Sequence, residues 1–356
     1  MPLQCFAFFR NLAMTLKLRI TLFVLLCVGC IVVSIGYVMM RARQPANPSA
    51  GTGTAFLIGS ENGPGLPAGG AAVSTPPSLP TAPFLLFRTT TLGKTYGQLV
   101  AAPLDHLSGP VTPTGLSCER AYFSGGYGVC LTADRGVVTS YQAFIFDSSL
   151  KPRHKLPLQG IPSRTRVSPD GRLASITVFV SGDSYVPGSF STRTEVFRTD
   201  DGSKIAELEK FTVERDGKPF RAVDFNFWGV TFANDGHHFY ATLATGGQNY
   251  LIEGDLTTQH AQVLHSGVEC PSLAPNGKRV AFKRPTRSGW HIYVLDLDSD
   301  REIPLAETRS VDDQVVWLDN DRILYALERD IWVMPADGSG TSSVFLADAY
   351  SPAVIR

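Results

Sequence analysis

The chain predicts an all-β fold: a six-bladed β-propeller closed by its C-terminal strand, preceded by one transmembrane helix and a Pro/Gly-rich linker. Three observations carry this expectation. Tight turns recur at a near-constant interval. Each repeat holds a β-branched or aromatic run that ends in Asp. The last ten residues read as an inner strand with no blade to follow.

From the N-terminus, Ile20–Met40 holds 21 residues without a charge. At ~1.5 Å per helical residue it spans ~31 Å, the thickness of a hydrocarbon core. That is longer than a signal-peptide apolar region, so the reading is a retained signal anchor. Arg10, Lys17 and Arg19 precede it, against Arg41 and Arg43 after it. Residues 1–19 are therefore expected in the cytoplasm and the body outside. Residues 41–83 follow as a flexible linker; Gln44–Pro83 has eight Pro, seven Gly, no Lys or Arg and one acid, Glu61. Such a stretch buries too little apolar surface to offset the entropy of ordering it.

Charge narrows the partners. Lys+Arg and Asp+Glu are 32 each, but the first 43 residues hold five basic and no acidic groups. The remainder is therefore net acidic, unlike a nucleic-acid binder, which needs a concentrated basic face.

The body, 84–356, is built of repeats. Ser168-Pro-Asp-Gly171, Ala233-Asn-Asp-Gly236, Ala274-Pro-Asn-Gly277, Leu318-Asp-Asn-Asp321 and the weaker Ser124-Gly-Gly-Tyr127 start 44, 65, 41 and 44 residues apart in chain order from 124. Asp, Asn and Gly accept the left-handed backbone angles that close hairpins. A unit of ~40–45 residues suits four short strands, one propeller blade. The interval of 65 has two places for its extra residues: the loop Ser181–Thr192 and a hairpin around Glu214–Lys218. One residue before each turn stands Phe123, Val167, Phe232, Leu273 or Trp317, so one face of each inner strand is apolar. The intervening Tyr122, Arg166, Thr231, Ser272 and Val316 are more mixed. Period-two alternation of this kind places one face in the blade and the other on the axial channel. Blade one lacks its own inner strand, and Ala347–Arg356 supplies one, closing the ring without a free sheet edge.

Cys270-Pro-Ser-Leu-Ala-Pro-Asn-Gly-Lys-Arg-Val-Ala-Phe282, followed by His291-Ile-Tyr-Val-Leu-Asp296, resembles the WD-like repeats of TolB-type propellers. Arg166-Val-Ser-Pro-Asp-Gly-Arg172 is close to that family's turn signature. The resemblance spans roughly 84–356 and implies a six-bladed propeller in an exported bacterial envelope protein used for protein contacts. The chain departs from the family in having a span and tether where TolB proteins have a separate α/β domain.

Chemistry is sparse. There is no Gly-x-Ser-x-Gly elbow, phosphate loop or His-Glu-x-x-His, and no cofactor or metal is expected. Cys118 and Cys130 flank one hairpin turn, and a two-residue loop would oppose Cys130 to Ala121 instead. A bridge between them therefore needs a bulge or twist. The candidate site is the channel mouth: Glu119, Arg120, Arg164, Arg166, Asp224, Trp228, Glu269, Asp313 and Gln314 lie at or just ahead of the inner strands. Two readings stand there. The acids and arginines neutralise one another across a wet channel, or they receive a polar ligand or peptide, with Trp228 as anchor. The function expected is non-enzymatic binding of an envelope protein or cell-wall ligand. The alternative is a metal-dependent hydrolase or lactonase using the mouth carboxylates.

Overall fold

The computed structural model describes residues 21, 25–30, 78–180 and 191–356. The chain falls into two units, Met1–Ala72 and Val73–Arg356. In the first unit the described residues are helical. Among the described residues no helix is long and apolar enough to cross a membrane. Segment 1–19, two thirds of the anchor at 20–40 and most of the linker lie outside the described residues. So do 181–190, with Tyr185 and Phe190 of the expected insertion.

Among the described residues the second unit is a ring of six sheets, antiparallel except for one strand pair in blade four. Phe84–Thr89 (β1), Gln98–Pro103 (β2) and Thr112–Ser117 (β3) form blade one. Blade two holds Arg120–Ser124 (β4), Tyr127–Arg135 (β5), Thr139–Asp147 (β6) and Pro152–Leu156 (β7). Blade three holds Ile161–Val167 (β8), Leu173–Val180 (β9), Ser191–Arg198 (β10) and Lys204–Glu207 (β11). Blade four carries a hairpin, Thr212–Arg215 (β12) and Lys218–Phe220 (β13), outside Asn226–Phe232 (β14), His238–Thr245 (β15), Gln248–Asp255 (β16) and His260–Ser266 (β17). β12 runs parallel to β17. Blade five is Glu269–Leu273 (β18), Arg279–Thr286 (β19), Gly289–Asp296 (β20) and Arg301–Pro304 (β21). Blade six is Val316–Trp317 (β22), Arg322–Leu327 (β23), Asp330–Pro335 (β24) and Ser343–Leu346 (β25). Ala349–Ile355 (β26) then pairs with β1, Phe84 opposite Ile355, and closes blade one.

The repeat signals have physical causes here. The runs ending in Asp are the third strands, and that Asp folds the turn to the fourth. Asp147, Asp255, Asp296 and Asp337 each accept an amide two or three residues on, at 2.7–2.9 Å. The hairpin foreseen near Glu214–Lys218 is β12–β13, turning on Asp216 and Gly217 with φ of 52° and 70°. Between blades, apolar faces interdigitate: Phe84, Phe123 and Phe146 stand between blades one and two, and Phe211, Phe227 and Phe239 pack in blade four.

Ser124 opposes Tyr127 and Ala121 opposes Cys130, the expected register. Cys118 and Cys130 are nevertheless bridged, their Cα atoms 5.4 Å apart. Cys118 lies ahead of β4, on the link from blade one, outside the hairpin ladder whose register opposes Cys130 to Ala121.

The inner strands β8, β14, β18 and β26 each carry a register shift, and those of β14 and β18 fall at matching places. The register of β14 shifts between Trp228 and Thr231, and that of β18 between Glu269 and Ser272. Gly229 (φ 67°) and Cys270 (φ 51°) are left-handed at these bulges. They touch: a Cβ on Gly229 would lie 2.7 Å from the Cys270 Cα. Gln314, 7% exposed, donates from Nε2 to the bulge carbonyls of Gly229 and Pro271 at 3.1 and 2.8 Å. Gly229→Ala is expected to destabilise the protein by about 2 kcal/mol, the sum of a left-handed alanine and a backbone clash. Urea denaturation checks this, and a loss below about 0.5 kcal/mol contradicts the reading.

Candidate functional site

The bulges re-aim Trp228 and Glu269 toward the end of the ring where inner strands begin, here the entry face. With Arg164 they line a cavity of about 550 Å³. Its walls also include Phe179 from β9, Lys283 from β19, Trp290 from β20 and Asp312 ahead of β22, so blades three to six all contribute. Lys283 is 2% exposed, which only a well-partnered ammonium tolerates. Its Nζ lies 3.2 Å from Glu269, bonds to Asp312 and sits 4.4 Å from the centre of the Trp290 ring. Burial alone would drive Lys283 to lose its proton; Cys270, Glu269 and Asp312 outweigh it and raise its pKa. Burial raises the Glu269 carboxyl, with Lys283 opposing it, and Asn249 donates to Glu269 at 3.0 Å.

The other expected mouth residues divide. Arg120, Asp313, Gln314 and Arg166 lie deeper, inside the channel. Arg120 pairs with Asp313 at 2.9 Å and donates to the Tyr350 hydroxyl at 2.6 Å. Arg166 faces the opposite, exit end, so its placement at the mouth is corrected: the pleat puts alternate residues of β8 at successive depths along the axis. Glu119 does not line the cavity. It bonds to Arg135, which holds its carboxyl below the ordinary value, and lies 3.9 Å from Arg88. Asp224 braces the β15–β16 turn, accepting from the Gly246 amide at 2.8 Å and from the Thr245 hydroxyl; the Gly246 bond leads in lowering its pKa.

Sequence reasoning missed Cys270, Lys283, Trp290 and Phe179. Lys283, Trp290 and Phe179 come from second and third strands, whose upper ends reach the mouth only in three dimensions. Cys270 reads in the sequence as an ordinary strand residue, whereas in the fold it forms a bulge. His237 and His238 bring ligand atoms within 4.8 Å of Asp235. Their turn already uses that carboxylate, for both backbone amides and for the His238 ring at 2.7 Å.

The entry face is also apolar at its surface. Ten large apolar residues of the second unit are exposed among the described residues. Strand directions put seven on this face: Leu92, Tyr96, Val137, Val138, Ile161, Phe179 and Val223.

No protein-family model matches the chain, and no curated protein is detectably similar to it. Solved structures are. TolB from Acinetobacter baumannii matches with a TM-score of 0.56 at 16% identity, covering 77% of this chain and 67% of that one. The fold is a TolB-like six-bladed propeller. A chain of the nidogen/laminin complex matches at 0.52 and 13% identity, covering 76% of this propeller-bearing chain and 97% of that one. Puromycin hydrolase matches at 0.46 and 14%, covering 76% and 46%. Likeness at this level of identity establishes the fold and leaves the chemistry to the site.

Proposed function

We propose that this TolB-like propeller is a non-enzymatic binding module of the cell envelope. Residues 20–40 anchor it in a membrane with residues 1–19 cytoplasmic, and the extracytoplasmic propeller presents its entry face to a protein partner. The observation that carries the reading is the coincidence of seven exposed apolar residues with the Trp-lined cavity on one face. Exposed apolar side chains on the face that opens an aromatic pocket are a common mark of a protein-docking site. The charged groups inside favour binding over metal-dependent hydrolysis. Glu269 and Asp312 both share Lys283, and among the described residues no histidine lines the cavity. A solved relative in fold belongs to the nidogen/laminin complex, which accords with a propeller used for protein contact.

Photo-crosslinking in intact membranes tests this, with a benzophenone side chain at position 290 or, as control, at 298 on the exit face. One partner protein is expected from 290 and not from 298, and Trp228→Ala is expected to reduce its yield at least tenfold. Equal capture from both faces, or full capture by Trp228→Ala, overturns the reading.

A further inference from the structure

The axial channel holds more positive charge than the fold neutralises. Arg120, Arg164 and Arg166 line it against one carboxylate, Asp313, and Arg120 takes that one. Adding the mouth residues Lys283, Glu269 and Asp312 still leaves four cations facing three carboxylates. No carboxylate lies within 4 Å of Arg164 or Arg166 among the described residues, and the Nε of each is buried with no acceptor. Arg166 is the more deeply enclosed, at 5% exposure. Its Nη2 donates to the Ser272 hydroxyl at 3.2 Å and the Val315 carbonyl at 2.9 Å, and its guanidinium lies 4.5 Å from the centre of the Tyr122 ring. These contacts fix its direction and supply no counter-charge. An uncompensated buried guanidinium costs several kcal/mol.

Arg166 lines a cavity of about 320 Å³ at the exit face. Among the described residues no Asp or Glu lines that cavity. Tyr122, Phe232, Trp317 and Val354 give it apolar walls, Thr231, Asn234 and Ser272 are polar, and Arg166 and Arg356 bring two guanidiniums to it. We propose that this exit-face pocket is a second binding site, taking a carboxylate borne on an apolar body, with Arg166 as its counter-ion. A carboxylate supplies the counter-charge that the neutral partners of this guanidinium do not, and the aromatic walls would bury the attached hydrocarbon. The chemistry is shared by a small organic acid and by the terminus of a polypeptide. The site lies on the face opposite the one proposed for the protein partner, so either can fail alone.

The test is thermal unfolding and calorimetric titration of the full-length protein in detergent at constant ionic strength. The probes are 3-phenylpropionate and its amide, and acetyl-Leu-Phe with a free or an amidated C-terminus. Saturable stabilisation by at least one acid and by neither amide is expected. A response to the peptide acid alone marks a polypeptide terminus as the ligand, and a response to phenylpropionate alone marks a small acid. Arg166→Lys keeps the charge without the planar fork and is expected to weaken binding at least tenfold. Arg166→Met is expected to abolish the response and to unfold at a higher temperature than the unliganded wild type. Absence of saturable acid binding to the wild type, equal response to acid and amide, or unchanged affinity in Arg166→Lys overturns the proposal.

Discussion

Deleting residues 349–356 is expected to abolish cooperative unfolding. β26 is the innermost strand of blade one and joins the chain's end to its first strand, with partners from Phe84↔Ile355 to Thr89↔Ala349. It buries Ala349, Ser351, Pro352, Ala353 and Val354. The Tyr350 hydroxyl takes a bond from Arg120, and Arg356 donates to the Trp317 carbonyl at 2.6 Å. Without it, β1 becomes an unpaired edge facing the axis, and Leu85, Leu86 and Phe87, all under 5% exposed, lose their cover on that side. Lost ladder bonds at ~1 kcal/mol each and newly exposed side chains at ~1.5–3 kcal/mol each sum to on the order of 10 kcal/mol. That equals the whole stability of an ordinary domain, about 5–15 kcal/mol. Circular dichroism melts decide the matter, and a synthetic peptide of residues 347–356 added in trans is expected to restore a transition. A truncated protein that melts cooperatively near the wild-type temperature refutes closure by this strand.

Ring closure was legible because it rests on counting. Turn residues mark each blade, the apolar alternation gives the inner strand its face, and a missing inner strand at one end matches a spare one at the other. The site was less legible because it depends on departures from that regularity. Gly229 and Cys270 put a bulge into adjacent inner strands, and period-two reasoning assumes there is none. Trp228 and Glu269 reach the mouth because of those bulges, while Arg166, on the regular stretch of β8 past its own register shift at Pro162–Arg164, points down the channel. Glu119 and Asp224 stand beside the mouth in sequence but are satisfied by Arg135 and by the Thr245–Gly246 turn. The Cys118–Cys130 bridge was ambiguous for a similar reason. Hairpin register is local, whereas the half-cystine at 118 belongs to a crossing between blades.

Stability is expected to fall as pH rises from about 4.5 to 8, through Glu209, in the short 3₁₀ turn Leu208–Lys210 between blades three and four. Its carboxyl accepts the Thr194 amide at 2.9 Å and the Thr192 hydroxyl at 3.1 Å. Thr192 in turn bonds to the Asn226 side chain and the Phe227 amide of β14. Burial dominates these bonds and pushes Glu209 up to about 8. With the folded-state pKa raised, the native protein holds a proton that the unfolded chain releases. The stabilisation is full below about 4.5 and is lost by about pH 8, at about 1.4 kcal/mol per pH unit. Glu209 keeps partial solvent contact, so screening trims the total to about 3 kcal/mol. Glu209→Gln mimics the protonated form and is expected to flatten this slope while costing about 1 kcal/mol at pH 5. Urea midpoints between pH 5 and 9 for both proteins check it; parallel profiles refute the assignment. The consequence reaches the binding face, because the strand that Thr192 secures is the one that carries Trp228. The Thr192 and Thr194 bonds favour the ionised carboxylate, but burial disfavours it more. Above pH 8, opening of the Leu208–Lys210 turn to hydrate the charge is therefore favoured, and partner capture from position 290 is expected to weaken there in the wild type but not in Glu209→Gln.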